Sequence, residues 1–373
     1  MILITPDKFK GTFSARQIAS MIRDGLKKQY PELSYKLLPL ADGGEGSAEI
    51  LSKQLNASPV YETVSDPIGR PIRTSYYYSE KSKTAVVESA KASGLSLLLP
   101  EEYNPVKASS FGTGELILSA LCKGAEKILI TLGGSAVNDA GCNALQALGF
   151  RFLDEDGKSL NPSADTLGQI RKVEDTNLKF IKTQAEFIVL SDVRNPLLGK
   201  SGAAYSYAPQ KGADRKMLKI LEYNMSRFAK YIETLRPGIV NKAGAGAAGG
   251  MGAGFSTFLN ADIVSGASYI MEEVNFDNYL QKAKLVITGE GNFDEQSLNG
   301  KVPGAVYQSA SYHKIPTAVI CGGSSLKDSV LPDNLRVYPL FNSALPQKDA
   351  ERETPNRIDK IIEKIIEDVD FFP

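Results

Sequence analysis

Short apolar runs alternate with stretches of helical period along most of the chain, a rhythm that predicts strands feeding helices. Ile2-Leu3-Ile4-Thr5 reads as a first buried strand. A helix follows, opened by Ser14-Ala15-Arg16-Gln17, where serine and glutamine satisfy each other's terminal amides as a capping box. Ile18, Met21, Ile22 and Leu26 give it one apolar face, and Pro31 closes it. Tyr35 to Leu38 is a second strand, and the next helix begins between Ala41 and Ser47. This strand–helix order implies a parallel sheet.

The alternation changes after about residue 60. Pro71 to Tyr78 and Thr84 to Glu88 read as strands joined by the polar turn Ser79 to Ser82. Helix, strand and helix follow at Thr113 to Lys123, Lys127 to Leu132 and Asn138 to Leu148. Phe150 to Leu153 and Lys158 to Leu160 flank Asp156-Gly157, a hairpin turn signal. A strand at Phe187 to Leu190 and a long charged helix, Asp214 to Leu235, come next. The simple rhythm returns near Lys284, with strand Leu285 to Ile287, a helix from about Pro303, and strands Thr317 to Ile320 and Leu335 to Tyr338. Ile358, Ile361, Ile362, Ile365, Ile366 and Val369 stripe the final helix. The pattern predicts an α/β protein: a parallel-sheet domain from residues 1–62 and 285–373, with a second α/β domain, 63–284, inserted.

At 373 residues the chain is long enough for two hydrophobic cores. Its 43 basic and 43 acidic residues cancel, so no global field recruits nucleic acid or an anionic membrane. No apolar run approaches the roughly 20 residues of a membrane span, and no signal segment opens the sequence. Cys122, Cys142 and Cys321 match neither a disulfide framework nor a zinc motif. The first two fall in apolar helical patterns and are expected to be buried thiols, in a reducing, cytoplasmic setting. The single histidine, His313, is expected on the surface near a helix C-terminus. Acid–base work is left to carboxylates and lysines.

The glycines cluster in loops that leave apolar strands, where parallel α/β sheets bind ligands. In Thr288 to Lys301, Gly289 and Gly291 permit close backbone approach, Glu290 and Asp294 offer hard oxygen ligands, and Lys301 brings a cation. Asp7, Lys8 and Lys10 lie beside a helix N-terminus, as an anion site or as an ordinary turn with solvated lysines. Asp42-Gly43-Gly44-Glu45 puts two carboxylates in one turn, suited to magnesium or a substrate hydroxyl, or to a helix start with Asp42 as cap and Glu45 as its partner. Gly133-Gly134-Ser135 follows a strand and aims amides and a hydroxyl at phosphate or carboxylate; Asn138 and Asp139 serve the ligand or cap the helix. Asp192 ends another strand, as general base, metal ligand or Asx-turn residue. Gly244 to Gly249 matches the dinucleotide fingerprint, but no clear apolar strand ends there. The run Ala243 to Gly254, containing Gly249 and Gly250, reads instead as a backbone-lined nucleotide or substrate loop.

Together, Pro6-Asp7 with Phe9-Lys10, Ala41 to Gly46, Gly112 to Glu115, Gly133 to Gly141, Asp192 with Asn195-Pro196, Pro209 to Gly212, Ala247 to Gly252 and Thr288 to Lys301 resemble, in this order, the bacterial glycerate kinase family that phosphorylates the 2-hydroxyl. The resemblance spans essentially the whole chain. It implies ATP-dependent, Mg2+-requiring transfer of the γ-phosphoryl group to D-glycerate, yielding 2-phosphoglycerate and ADP. It also implies a discontinuous Rossmann-like domain, an inserted α/β domain and an active site in the cleft between them. Lys8 stands where a small polar residue is usual, Val137 replaces a threonine and Ala140 a glycine. Lys8 bears on substrate affinity.

The roles that follow are these. Asp192 is the expected base or orienter of the glycerate hydroxyl, with Asp42 as the second candidate and Lys10 neutralising charge. Asp7, Lys10, Gly43, Gly44, Glu45 and Lys301 would bind substrate. Gly133, Gly134, Ser135, Asn138, Asp139, Gly249 and Gly250 would bind nucleotide, and Glu290 and Asp294 would take Mg2+ directly or through water. The expected partners are small molecules, D-glycerate and ATP, with no nucleic acid and no membrane. A kinase for another small hydroxy acid, a non-catalytic metabolite sensor and a dehydrogenase are the competing readings.

Overall fold

The computed structural model describes residues 1–175, 185–298, 300–326, 331–342 and 345–368. Internal packing divides them into two units, Met1–Asp42 with Ala267–Pro373, and Gly43–Gly266. In chain order the strands are β1 (Ile2–Ile4) and β2 (Tyr35–Leu37), then β3 (Ser58–Ser65), β4 (Pro71–Ser79), β5 (Thr84–Glu88) and β6 (Lys127–Thr131). They continue as β7 (Arg151–Leu153), β8 (Ser159–Leu160), β9 (Lys172–Glu174), β10 (Glu186–Leu190), β11 (Asp262–Val264), β12 (Leu285–Phe293), β13 (Thr317–Ser324) and β14 (Leu335–Pro339).

The first unit is built from both ends of the chain around a wholly parallel sheet, β14-β13-β12-β1-β2. Helix Ala15–Gln29 opens with the expected capping box: Ser14 N–H donates to Gln17 Oε1 at 2.8 Å, and Gln17 N–H donates to Ser14 Oγ at 3.3 Å. Its Ile18, Ile22 and Leu26 share a core with Ile358, Ile362, Ile365 and Ile366 of helix Gln347–Asp368 and with β1, β12 and β13. Val369 of the expected stripe lies outside the described residues. His313 ends helix Val302–Tyr312 and is exposed, as read from the sequence.

The second unit holds a mixed sheet, β11-β10-β6-β5-β4-β3, in which β11, β10, β6 and β5 run parallel while β4 and β3 turn back as an antiparallel meander. A small sheet, β8-β7-β9, contains the Asp156-Gly157 hairpin. The long helix Arg215–Leu235 is capped by Asp214, which accepts from Met217 N–H at 2.7 Å.

Several sequence expectations are corrected by tertiary packing. The first unit breaks off at Asp42 and resumes at Ala267, earlier in each case than the 62 and 285 expected. Helix Ser47–Gln54 and β3 belong with β4 and β5, and β3 carried no clear apolar alternation. The helix expected from Asn138 shrinks to Cys142–Ala147, because Ala140 and Gly141 take φ of 53° and 73°. The glycine run contains a helix, Ala247–Phe258, broken at Ala248–Gly250. Cys122 is exposed at a helix end, whereas Cys142 is buried. No helix among the described residues is long and apolar enough to cross a membrane.

Candidate active site

In the first unit, parallel pairing lines up the carboxyl ends of β2, β1 and β12. The turn after β1 is tied down by Asp7 N–H donating to the Gly289 carbonyl and Leu40 N–H donating to the Pro6 carbonyl, at 2.8 and 3.0 Å. Asp7, Asp42 and Glu290 thereby come within reach of one another's charge. Asp7 and Glu290 are only 5% and 6% exposed. Burial, and then the Asp42 charge, push the Asp7 carboxyl up to about 8 against the opposing pull of Lys8. Burial likewise pushes Glu290 up to about 7, against a hydrogen bond from Ser297 and the charge of Lys301. Lys8 Nζ lies 3.4 Å from Asp42 Oδ1 and 4.0 Å from Asp7 Oδ1. Lys301 Nζ lies 3.6 Å from Glu290 Oε2 and 3.8 Å from Asp294 Oδ1. Carboxyl groups this crowded hold protons or attract cations.

The segment read as a loop from Thr288 is strand as far as Phe293, in register with β13 through Asn292↔Gly323 and Phe293↔Ser324. Gly289 serves that pairing, since a Cβ there would collide with the Ile320 carbonyl. Glu290 is therefore carried on a rigid strand. Asp294 Oδ1 accepts from Gln296 and Ser297 N–H at 2.9 and 3.1 Å, so much of its capacity starts helix Glu295–Leu298. Lys10 is exposed, with its backbone nitrogen packed against Gly291. Asn299 lies outside the described residues.

In the second unit the loops after β10 and β6 meet the turn that precedes helix Ser47–Gln54. A Cβ at Gly43 would lie 2.9 Å from the Leu190 carbonyl carbon, and one at Gly133 would lie 2.8 Å from Gly44 Cα. Only glycine permits this backbone-to-backbone contact. Gly43, Gly44, Gly133 and the start of the Asp192 loop are thus brought together. The capping alternative for Asp42 and Glu45 is not realised: the helix starts after a left-handed Gly46, and Glu45 is exposed. Asp192 Oδ1 accepts from Ser265 Oγ at 2.7 Å, and the loop beyond is pinned by Tyr207 Oη donating to Asn195 Oδ1 at 2.6 Å.

Asp139 and Asn138 part company. The buried Asp139 carboxylate accepts from Ser110 N–H (2.9 Å), Ser110 Oγ (2.7 Å), Asn143 Nδ2 (2.8 Å) and Gly141 N–H (3.0 Å). These four bonds make it an organiser of the turn. Asn138 is fully buried, yet neither atom of its amide finds a partner among the described residues. Gly249 and Gly250 are buried too, and a Cβ at Gly249 would collide with the Val137 carbonyl. They support the 137–140 turn, where Ala140 holds a φ of 53° that suits the glycine usual in the resembled family. Gly244 follows a 3-10 turn, Ile239–Asn241, so the dinucleotide fingerprint lacks its strand.

The sequence model of the glycerate kinase family matches residues 2–370. The chain belongs to the glycerate kinase family. It is 39% identical over 353 residues to a Bacillus subtilis (strain 168) glycerate kinase, covering 94% of this chain and 92% of that protein. It is also 39% identical over 331 residues to an Escherichia coli (strain K12) glycerate 2-kinase, covering 88% and 86%. A crystal structure from Salmonella typhimurium LT2 assigned to glycerate kinase 2 superposes with a TM-score of 0.79 at 34% identity, covering 98% of this chain and 97% of that one. This family member is a kinase, and the discontinuous α/β architecture read from its sequence is the one it has.

The acidic end of this kinase's first sheet suits a hard divalent cation. Glu290 Oε1 is buried and lacks a hydrogen-bond partner among the described residues. No group of three or more His, Cys, Asp or Glu side chains is arranged to hold a metal among those residues. Mg2+ asks for less than that, because it keeps water and phosphate oxygens beside one or two carboxylates. Glu290 fits that demand; Asp294, engaged at its helix start, fits it less well.

One residue of this kinase escaped the sequence reading of the site. Lys211, 2% exposed, donates from Nζ to Ser135 Oγ at 3.1 Å and to the Val137 carbonyl at 2.6 Å. Burial depresses its ammonium to about 7, with the Asp139 charge pulling the other way. Lysines are rarely buried, so composition and periodicity do not single one out. The signal available was its place in the block Pro209 to Gly212.

Proposed function

We propose that the protein transfers the γ-phosphoryl group of ATP to the 2-hydroxyl of D-glycerate, releasing 2-phosphoglycerate and ADP. The observation that carries this reading is the Asp7–Lys8–Asp42–Glu290–Lys301 cluster at the carboxyl ends of the adjacent parallel strands β2, β1 and β12. Phosphoryl transfer needs positioned charge more than covalent chemistry, and this cluster supplies both signs. The name of the Escherichia coli relative supports the 2-position.

Gly133, Gly134, Ser135 and Asn138 receive the polyphosphate, while Asp139, Gly249 and Gly250 hold their turn in shape. Asp192, oriented by Ser265, accepts the hydroxyl proton as the glycerate oxygen bonds to the γ-phosphorus and the bond to ADP breaks. Asp42 is the second candidate for that role. Asp7 and the Gly43-Gly44-Glu45 turn hold glycerate, and Lys10 and Lys301 neutralise carboxylate and phosphate charge. Mg2+ held by Glu290, with Asp294 directly or through water, would neutralise charge on the phosphate oxygens.

Purified protein with D-glycerate and Mg-ATP, coupled to enolase without phosphoglycerate mutase, tests the proposal. Immediate enolase signal is expected. Signal only after mutase is added would overturn the 2-position, and ADP release with other hydroxy acids but not D-glycerate would overturn the substrate.

A further inference from the structure

The geometry points to Lys211 as a positioning residue that fixes the proton of the Ser135 hydroxyl, making Ser135 a donor to a phosphoryl oxygen at the Gly133–Ser135 turn. This rests on the nucleotide role proposed for that turn. In its charged form, which a phosphoryl anion at the turn would favour, Lys211 can only donate, so the 3.1 Å bond from its Nζ occupies a lone pair on Ser135 Oγ. Ser135 Oγ makes no other hydrogen bond among the described residues, which leaves its own proton for an outside acceptor. Donation into an oxygen also strengthens that oxygen's O–H as a donor.

The lysine is built in. Its second bond, to the Val137 carbonyl, anchors Nζ to the same turn, and that carbonyl is the atom for which position 249 must be glycine. Both acceptors are neutral, and a buried ammonium facing neutral groups is costly unless an anion compensates it. Asp139 is the charged group that pulls on it, but its oxygens are committed to Ser110, Gly141 and Asn143. A phosphoryl group at the turn would supply the missing charge. Asn138, fully buried in the same turn with both amide atoms unpartnered among the described residues, independently marks it as a place for a polar ligand.

Calorimetric binding of ATP, ADP and adenosine to wild type, Ser135→Ala and Lys211→Met tests the assignment. Each variant should weaken ATP and ADP by roughly 10- to 100-fold, the range for a hydrogen bond to a charged group. Adenosine should bind each as it binds wild type. The double variant should lose no more than the worse single one, because the lysine acts through the serine. In steady-state assays the KM for ATP should rise while that for D-glycerate holds. Additive losses, or equal weakening of adenosine, would refute the coupling. Ser135→Ala is a small change that keeps Lys211, so unaltered ATP binding by that variant overturns the inference even if Lys211→Met does not fold. Wild type that binds ATP but leaves D-glycerate unphosphorylated overturns the proposed substrate and leaves this inference standing. Wild type that binds no ATP overturns both.

Discussion

Replacing Asp7 with asparagine should stabilise the protein above neutral pH while impairing its activity. The Asp7 carboxyl titrates near 8 when folded, against an ordinary 3.8, because burial and the Asp42 charge both oppose its ionisation. Between those values the folded chain keeps a proton that the unfolded chain releases. The contribution of Asp7 to stability is therefore greatest below pH 3.8 and falls as pH rises through about 8. The full slope for one proton is about 1.4 kcal/mol per pH unit, so the loss from pH 5 to pH 7 is on the order of 3 kcal/mol. Glu290, pushed from 4.5 to about 7, adds a decline of the same sign between those values. Asp7→Asn retains an oxygen for the Lys8 amide, which donates to Asp7 Oδ1 at 2.6 Å, but removes the titration. Equilibrium urea denaturation of both proteins at pH 5, 6, 7 and 8 reads the two slopes. The variant's should be shallower by about 1.4 kcal/mol per pH unit, and the variant should be the more stable at pH 8. Parallel slopes, or a less stable variant at pH 8, would refute the reasoning. A gain in stability with lost turnover is the usual signature of a site that holds like charges together for function.

Asp139→Asn should cost about 2–4 kcal/mol of stability, because it presents amide protons to donors from Ser110, Gly141 and Asn143; an unchanged Tm would show that the carboxylate does not hold the turn. Asp192→Asn should lower kcat by roughly 100- to 10,000-fold with little change in KM, and a loss of only a few-fold would remove Asp192 from the role of base. Glu290→Gln should raise the Mg2+ concentration needed for half-maximal activity. An unaltered Mg2+ titration would place the cation elsewhere.

The features legible in the sequence are those encoded by neighbours along the chain. The Ser14–Gln17 capping box and the Asp156-Gly157 hairpin each depend on residues a few positions apart, and each is present. Two stretches misled for the same underlying reason. Segment 138–141 has helical spacing, but Asp139 satisfies four donors from Ser110, Gly141 and Asn143, and those bonds outweigh the turns of helix they replace. Thr288 to Phe293 looks like a glycine loop, yet pairing with β13 makes it strand. Cys122 shows the limit of periodicity, which puts it on an apolar helix but not on the helix's buried side.

The sequence by itself determined the α/β class, the assembly of one unit from both chain ends, the acidic and glycine-rich turns at strand ends, and membership of a kinase family. Tertiary structure alone decided that Asp7 and Glu290 hold protons near neutrality, that Asp139 faces inward and that Lys211 is sealed behind Ser135. Spacing along a strand or helix is local, and so it can be read residue by residue. The energy of a buried charge depends on which distant segments exclude water from it and which dipoles they turn toward it, and those segments meet only in the folded chain.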